Sequence, residues 1–160
     1  TAAQMTVRTT AGAILDWRSF DSGAQAGVHF QQADAASKVL NRVTGSDPSR
    51  ILGSLTSNGQ VWLLNPQGVL FGAGARVDVA GLVASTLRLD DHAFLDGLRS
   101  GRFSFAEGAA GATVRNEGAI RTAHGGHLVL LGENVHNTGT LDAPGGALHL
   151  GGARTATLVD

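Results

Sequence analysis

The sequence predicts an all-β protein, built as a single-stranded, right-handed parallel β-helix, and three observations support this class. Short apolar runs recur every eight to ten residues, as in QVWLLNPQGVLFGAGARVDVAGLVAST at 60–86. Glycine accounts for 23 of the 160 residues without a collagen-like period, which indicates many turns. A segment of 20 to 21 residues occurs twice between Val114 and Gly152. Short strands that repeat at a fixed period indicate a solenoid.

The repeat is defined by two segments, VRNEGAIRTAHGGHLVLLG from Val114 and VHNTGTLDAPGGALHLGG from Val135. At an offset of 21 the matched pairs are Val114 and Val135, Asn116 and Asn137, Gly118 and Gly139, and Ile120 and Leu141. After a slip of one residue, Gly125, Gly126, Leu128 and Leu130 match Gly145, Gly146, Leu148 and Leu150. Each copy has three short runs, too few to bury a face of its own, so the copies must stack. We expect roughly six to eight coils in a column about 30 to 40 Å long.

Two other repeat architectures fit less well. Leucine-rich repeats have a similar period, but these copies lack the L-x-x-L-x-L spacing and show no helical periodicity. Left-handed hexapeptide helices require a strict six residues per strand, whereas this repeat slips by one residue. Both readings are therefore disfavoured.

The remaining segments are assigned in chain order, within one domain over residues 1–160. The first 30 residues predict further strands, with core candidates Val7, Ile14, Trp17, Phe20, Val28 and Phe30. The stretch between Ser37 and Arg50 has weaker alternation and turn residues at 45–48, so we expect a corner or short excursion. The stretch 87–108 lacks the glycine rhythm and carries much of the charge, so we expect it to leave the column as a hairpin or loop.

Composition excludes several classes of function. Twelve basic and thirteen acidic residues give a net charge of -1 without a basic block, which disfavours nucleic acid as a partner. Cysteine is absent, so disulfides and thiolate metal sites are excluded. No apolar run reaches about eighteen residues, so we expect no membrane insertion. The lack of cysteine suits both a cytosolic protein and one exported unfolded across an envelope.

A search for catalytic and metal-binding patterns finds none that holds. Parallel β-helices often carry carbohydrate-active sites, which need converging carboxylates. Asp90 and Asp91 are adjacent and would point to opposite faces of a strand, so we expect a solvated loop. His124 and His127 have no third ligand at a useful distance, and His127 and His149 alternate with leucines and should face outward. We therefore expect that the protein is not an enzyme and that it binds no metal or cofactor.

The succession from Ile14 onward resembles the N-terminal secretion domain of two-partner-secretion exoproteins, the filamentous-haemagglutinin and high-molecular-weight adhesin family. The resemblance rests on LNRVTG at 40–45, SNGQVWLLNPQG at 57–68 and GLVAST at 81–86. NEGAIRTAHGGHLVLLGENVHNTGTLDA also resembles the final coils of that domain, so the similarity covers nearly the whole chain. Further residues that form a capping strand are normal in the family, so coil one is expected to be incompletely capped.

The resemblance implies a right-handed parallel β-helix and a non-enzymatic role. Such a domain directs a large adhesin-type or haemolysin-type exoprotein of a Gram-negative bacterium to an Omp85-type outer-membrane transporter. The partners implied are the POTRA domains and the barrel of that transporter. The domain would be captured in an extended state in the periplasm and would fold, as a monomer, at the cell surface. The alternatives are a carbohydrate-binding or carbohydrate-active β-helix protein and an isolated repeat of an adhesin shaft.

The candidate recognition motif is a turn. The family's N-P-N-G signature maps onto Asn65, Pro66, Gln67 and Gly68, with Gln in place of the second Asn. Asn-Pro starts a turn and Gly68 supplies a positive φ, so the turn itself explains the retained residues, while direct contact with the transporter stays open. Asn116 and Asn137 are expected at equivalent corners, where asparagine tolerates a left-handed backbone and its amides can stack.

Overall fold

A computed structural model describes residues 3–160 and places eighteen strands and one helix within them. In chain order the elements are β1 (Gln4–Arg8), β2 (Ala13–Trp17), β3 (Gly27–Gln31), β4 (Lys38–Val43), β5 (Ser49–Ile51), β6 (Ser54–Ser57), β7 (Gln60–Leu64), β8 (Val69–Phe71), β9 (Arg76–Val79), β10 (Gly81–Ser85), α1 (Asp91–Ser100), β11 (Arg102–Phe105), β12 (Thr113–Asn116), β13 (Ala119–Thr122), β14 (His127–Gly132), β15 (Asn134–Asn137), β16 (Thr140–Asp142), β17 (Ala147–Gly152) and β18 (Ala156–Val159). No helix among these residues is long and apolar enough to cross a membrane.

The strands wind into three parallel sheets. The first sheet has the order β1-β3-β6-β9-β13-β16, the second β2-β4-β7-β10-β14-β17, and the third β5-β8-β12-β15. Because the chain visits the sheets in rotation, each internal strand pairs with strands one coil before and one coil after it. Six strands in each of two sheets agree with the expected number of coils. The predicted parallel β-helix is confirmed.

The repeat register is also confirmed. In the paired strands Val114 lies opposite Val135 and Asn116 opposite Asn137. The other aligned positions pair in the same way, namely Ile120 with Leu141, Leu128 with Leu148 and Leu130 with Leu150. A β-carbon on Gly139 would lie 2.1 Å from the carbonyl oxygen of Gly118. Gly118, Gly126 and Gly146 likewise lie where a β-carbon would meet a backbone carbonyl of a neighbouring coil, whereas one on Gly125 would meet nothing within 4 Å.

The inner strands β7, β10 and β14 of the second sheet are buried on both faces, which explains their unbroken apolar runs. In β7, Val61 and Leu63 face the interior of the column, whereas Trp62 and Leu64 face outward. The outward side chains join a second hydrophobic cluster that includes Phe94, Phe103 and Phe105. Those aromatic residues belong to the segment that leaves the column after β10, so this segment covers one face of the column.

The excursion expected at 87–108 is present, and it contains a helix followed by a strand rather than a hairpin or loop alone. Asp90 caps α1, because its side chain accepts a hydrogen bond from the Ala93 N–H, and Gly101 ends it with a φ of 75°. The following strand, β11, pairs in antiparallel fashion with β18. Asp90 and Asp91, which were expected in a solvated loop, instead begin this helix, although both side chains are exposed.

The expectation of a corner or excursion between Ser37 and Arg50 is wrong for most of its length. Residues 38–43 form β4, an internal strand of the second sheet next to its end strand β2, and the turn residues at 45–48 only connect it to β5. The apolar alternation is broken because Asn41 faces inward and is fully buried. Asn41 accepts a hydrogen bond from Trp17 Nε1 and donates to the carbonyl of Trp62, so its polarity is satisfied inside the column.

Of the six core candidates in the first 30 residues, three are buried and three are half-buried. Phe20, Val28 and Phe30 are buried in the interior cluster. The other three, Val7, Ile14 and Trp17, are half-buried and pack against the two clusters. They lie in β1 and β2, which are the outermost strands of their sheets and pack against a coil on one side only.

Candidate recognition site

The turn at 65–68 joins β7 to β8 at the corner between the second and third sheets. The Gly68 N–H donates to the carbonyl of Asn65, 3.1 Å away, which closes a four-residue turn. Pro66 occupies the second position of this turn, for which its fixed φ is suited. The turn is also bonded to the coils on either side. The Asn65 N–H donates to Ser85 and the Gly68 carbonyl accepts from Ser49.

Asn65 is completely buried, and its side chain makes three hydrogen bonds. The Nδ2 atom donates to the carbonyl of Asp47 and to Ser49 Oγ, each at 3.0 Å. The Oδ1 atom accepts from the Gln67 N–H at 3.0 Å, which is the geometry of an Asx turn. The side chain of Asn65 thus stabilises the turn at 65–68 and bonds it to the preceding coil.

The other three residues differ in exposure. Pro66 is half-buried, Gln67 is exposed and Gly68 is buried. Gly68 has a φ of 137°, a conformation that favours glycine, and a β-carbon there would lie 3.4 Å from both Pro48 and the Thr113 carbonyl. Gln67 contributes its backbone N–H to the turn, and its side chain extends from the surface. Gln67 is therefore the member of the motif that is most available to a partner.

A cleft of about 410 Å³ lies beside the turn. Pro66 and Gln67 form one wall, and residues 87–90 at the start of the excursion form the other. Its lining combines the apolar residues Val43, Leu64, Leu87 and Leu89 with the charged residues Asp16, Arg42, Arg88 and Asp90. The turn and the base of the excursion thus share one concave surface.

Arg42 forms the charged part of this cleft. Its Nε and Nη2 atoms donate to the two carboxylate oxygens of Asp16 at 2.9 and 3.2 Å, and Nη1 donates to the carbonyl of Leu89 at 3.3 Å. It also forms an ion pair with Asp91 at the start of α1. Burial by itself would lower the pKa of Arg42, but the hydrogen bonds and charges of Asp16 and Asp91 raise it above the usual value. Arg42 therefore links β2 and β4 to the excursion.

The adjacent acids Asp90 and Asp91 do not form a free catalytic pair. Asp90 caps α1 and Asp91 pairs with Arg42. The third acid at the cleft, Asp16, is held by the same arginine. Arg99 and Arg102, the partners that a carbohydrate-active site at this segment would need, lie beyond the cleft in the last turn of α1 and in β11. The carboxylates at the cleft thus serve structural contacts.

Five of the six histidines are exposed, whereas His29 is half-buried and its Nδ1 atom forms a hydrogen bond of 2.8 Å with Thr56 Oγ1. His127 and His149 are exposed, as their alternation with leucine predicted. His124 is also exposed. Among residues 3–160, no group of three or more histidine, aspartate or glutamate side chains has the geometry of a metal site.

Asn116 and Asn137 occupy equivalent corners, one coil apart. Asn116 is buried, and its Nδ2 atom donates to Asn137 Oδ1 at 2.9 Å, so the amides form a short ladder. Each side chain also bonds to the glycine two residues later in the chain. Neither asparagine adopts a positive φ, so the expected left-handed conformation is wrong at both corners. Gly125 and Gly145, in the following turns, have positive φ values instead.

Sequence reasoning missed Arg42 and Asp16 as part of the site. Arg42 lay in a stretch assigned to a corner, and its partners are 26 and 49 positions away along the chain. The pairing of β2 with β4 places Asp16 directly opposite Arg42 in the folded chain. Because neither strand belongs to the clear repeat, this register was not readable from the sequence.

Comparison with known proteins identifies one family over nearly the whole chain. The family model for the TPS secretion domain matches residues 3–158. Among solved structures, the secretion domain of HMW1 from Haemophilus influenzae superposes with a TM-score of 0.87 at 32% identity, covering 95% of this chain and 40% of that one.

Two curated relatives are heme/hemopexin-binding proteins of Haemophilus influenzae. One, from strain Rd, is 40% identical over 133 residues, which is 81% of this chain and 14% of the relative. The other is 44% identical over 91 residues, which is 56% of this chain and 10% of the relative. The chain therefore spans a small part of the length of these relatives.

Proposed function

The chain belongs to the family of two-partner-secretion (TPS) secretion domains, and on this premise we propose that it directs a longer exoprotein to a cognate outer-membrane transporter. The observation that carries the proposal is the family match over residues 3–158. The likeness to the HMW1 secretion domain supports it, because it extends over 95% of the chain. The exoprotein would be a secreted or surface protein of a Gram-negative bacterium that crosses the periplasm on its way.

The mode of recognition that we propose is capture by the POTRA domains of the transporter before the column has folded. A solenoid coil buries its inner face only against its neighbours, so a single coil is unstable until the next one stacks on it. The strands of such a coil offer free backbone edges, to which a partner strand can add. Val61 and Leu63 of β7, for example, are buried inside the column, where β7 pairs with β4 on one side and with β10 on the other.

Folding at the cell surface would then favour export. Each coil that stacks outside the membrane buries apolar surface and pairs its backbone, which opposes return into the transporter. The absence of cysteine fits this route, since no disulfide can form in the periplasm and block an extended chain. The same stacking would nucleate folding of the segment that follows this domain.

Within the domain, we propose that the turn at 65–68 presents a corner of fixed geometry to the transporter. The side chain of Asn65 makes three hydrogen bonds within the protein, and Gly68 is buried with a positive φ. Gln67 is exposed, and a change of its side chain leaves the three hydrogen bonds of Asn65 in place. The transporter would therefore depend on the geometry of the turn, and on the cleft beside it, more than on the amide at position 67.

Binding to the periplasmic part of the cognate transporter tests the proposal. The purified chain is titrated into purified POTRA domains by calorimetry, once folded and once freshly diluted from urea. We expect saturable binding in both forms, and tighter binding for the freshly diluted chain. The control is a β-solenoid of similar length from outside this family. Binding no stronger than that of the control in either form would overturn the proposal.

A further inference from the structure

The corner between β6 and β7 consists of an asparagine followed by a glycine, Asn58 and Gly59. The chain contains six asparagines, and only this one is followed by glycine. Glycine has no β-carbon, so nothing shields its backbone nitrogen from the side chain of the preceding residue. Asn58 is also exposed to solvent. The dipeptide therefore combines an amide and a backbone nucleophile that are suited to react with each other.

The reaction is the loss of ammonia from the asparagine side chain. The backbone nitrogen of Gly59 attacks Cγ of Asn58, and the new N–Cγ bond closes a succinimide ring. The Cγ–Nδ2 bond breaks, and the nitrogen leaves as ammonia with the proton that the Gly59 nitrogen gives up. Water then opens the ring at either carbonyl and yields aspartate or isoaspartate. Water is the only co-reactant.

In the folded protein, hydrogen bonds hold both reacting groups. Asn58 Oδ1 accepts from the N–H of Gln32 at 2.8 Å, and Asn58 Nδ2 donates to the carbonyl of Gln32 at 2.9 Å. These two bonds continue the pairing of β3 with β6 beyond the last strand residues. The N–H of Gly59 donates to Ser57 Oγ at 3.0 Å. Attack on Cγ requires the amide of Asn58 to rotate toward Gly59, which breaks its bonds to the preceding coil.

Neither product can restore these contacts. A carboxylate only accepts hydrogen bonds, so an aspartate at position 58 would leave the carbonyl of Gln32 without its donor. Isoaspartate adds a carbon to the main chain beside Gly59, where space is short. A β-carbon on Gly59 would lie 2.6 Å from Cδ and Nε2 of Gln32, whose side chain is 4% exposed. The modification would therefore weaken the stacking of one coil on the next.

From these contacts we infer that Asn58 is a site of spontaneous deamidation, reactive in the unfolded chain and suppressed when β6 stacks on β3. The corner needs the asparagine for two bonds between coils and the glycine for the close approach to Gln32. The residues that the fold requires here are thus also the residues that react. A chain that stays extended loses, with time, a contact that its folded form uses. This inference does not depend on the proposed function.

The rate of deamidation in the folded and the unfolded chain tests the inference. The chain is incubated at mildly alkaline pH with and without guanidinium chloride, and the tryptic peptide of residues 51–76 is analysed by mass spectrometry. Asn65 lies in the same peptide and is an internal control, because the proline after it has no N–H to attack with. A synthetic peptide of residues 54–63, incubated in both solutions, corrects for the denaturant itself.

We expect deamidation at Asn58 in the unfolded chain, and a rate at least about tenfold lower in the folded chain, where the corner must first open. Asn65 should remain intact in both. Equal corrected rates in the folded and unfolded chain, or an unfolded chain in which Asn58 stays intact, would overturn the inference.

The variant Asn58→Asp tests the consequence for the fold. Asn134→Asp is the matched control, since it makes the same chemical change at an exposed residue of β15. Urea unfolding is followed by circular dichroism. We expect a lower unfolding midpoint for Asn58→Asp than for the parent and a much smaller shift for Asn134→Asp. Equal shifts in the two variants would contradict the claim that deamidation at Asn58 weakens the stacking of coils.

Discussion

The side-chain amide of Asn65 donates a hydrogen bond to Ser49 Oγ in the preceding coil, 3.0 Å away, and both residues are buried. This contact makes the turn at 65–68 part of the stacking of coils. A second bond from the same amide reaches the carbonyl of Asp47. The residue that looks most like a recognition signal in the sequence is thus engaged inside the protein, while the neighbouring Gln67 is exposed.

Asn65→Ala should destabilise the chain by about 2 kcal/mol, because it leaves the Asp47 carbonyl and the buried Ser49 hydroxyl without their donor. Gln67→Ala is the matched control and should change stability by less than about 0.5 kcal/mol, since its side chain is exposed. Urea unfolding monitored by circular dichroism measures both. Equal stability of the two variants would contradict the structural role of Asn65.

Gly97→Ala should loosen the excursion. The added methyl group would meet the ring of Phe103 at 2.1 Å, and overpacking of this kind costs about 1–3 kcal/mol, more than the gain in helix propensity. Because Trp62 contacts Phe103, its fluorescence should report the change. Leu95→Ala, on the exposed side of α1, should leave the fluorescence as in the parent. An unchanged Trp62 signal in Gly97→Ala would show that α1 does not pack as described.

The carboxyl group of Asp34 gives a test that depends on pH. Its pKa is lowered from 3.8, first by the hydrogen bond from the Ser37 hydroxyl and then by the backbone N–H groups of Ser37 and Ala36. A lowered pKa in the folded state adds stability above the unfolded value, which is lost as the pH falls through the folded value. Ser37→Ala should move the pKa of Asp34 back toward 3.8. Carboxyl titration by NMR measures it, and an unmoved pKa would refute the assigned cause.

Arg42→Met should have a modest and salt-sensitive effect. Its partners Asp16 and Asp91 have side chains that are 55% and 64% exposed, so their charges remain solvated when the guanidinium is removed. We expect a loss of about 1 kcal/mol or less at low salt, and a smaller difference from the parent in about 1 M NaCl. Urea unfolding at the two salt concentrations provides the measurement. A loss independent of salt would mean that the packing of the Arg42 side chain, rather than its charge, stabilises this region.

The sequence predicted the parts of the fold in which apolar positions repeat at a fixed period. The register of Val114 with Val135 and of Leu128 with Leu148 was readable because each coil repeats the same inward positions. Residues 38–43 were misassigned because a buried, hydrogen-bonded Asn41 interrupts the apolar alternation. The pairing of β11 with β18 joins segments more than fifty residues apart outside the repeat, and no local pattern specifies it.

For the candidate site, the turn at 65–68 was predicted from Asn-Pro and glycine chemistry. The burial of Asn65 and the exposure of Gln67 were not, because they depend on which coil lies next to the turn. The cleft beside it was not predictable either, since Arg42 joins two strands and a helix that only the folded column brings together.

The amount of exoprotein found outside the cell tests most directly whether this domain directs its exoprotein to the transporter. The exoprotein is produced together with its transporter, once intact and once without residues 3–158, and the medium and cell surface are compared with the cell interior. A second outer-membrane protein serves as a control for general export. We predict that the shortened exoprotein is lost from the outside while the control is unaffected. Undiminished secretion of the shortened exoprotein would contradict the account.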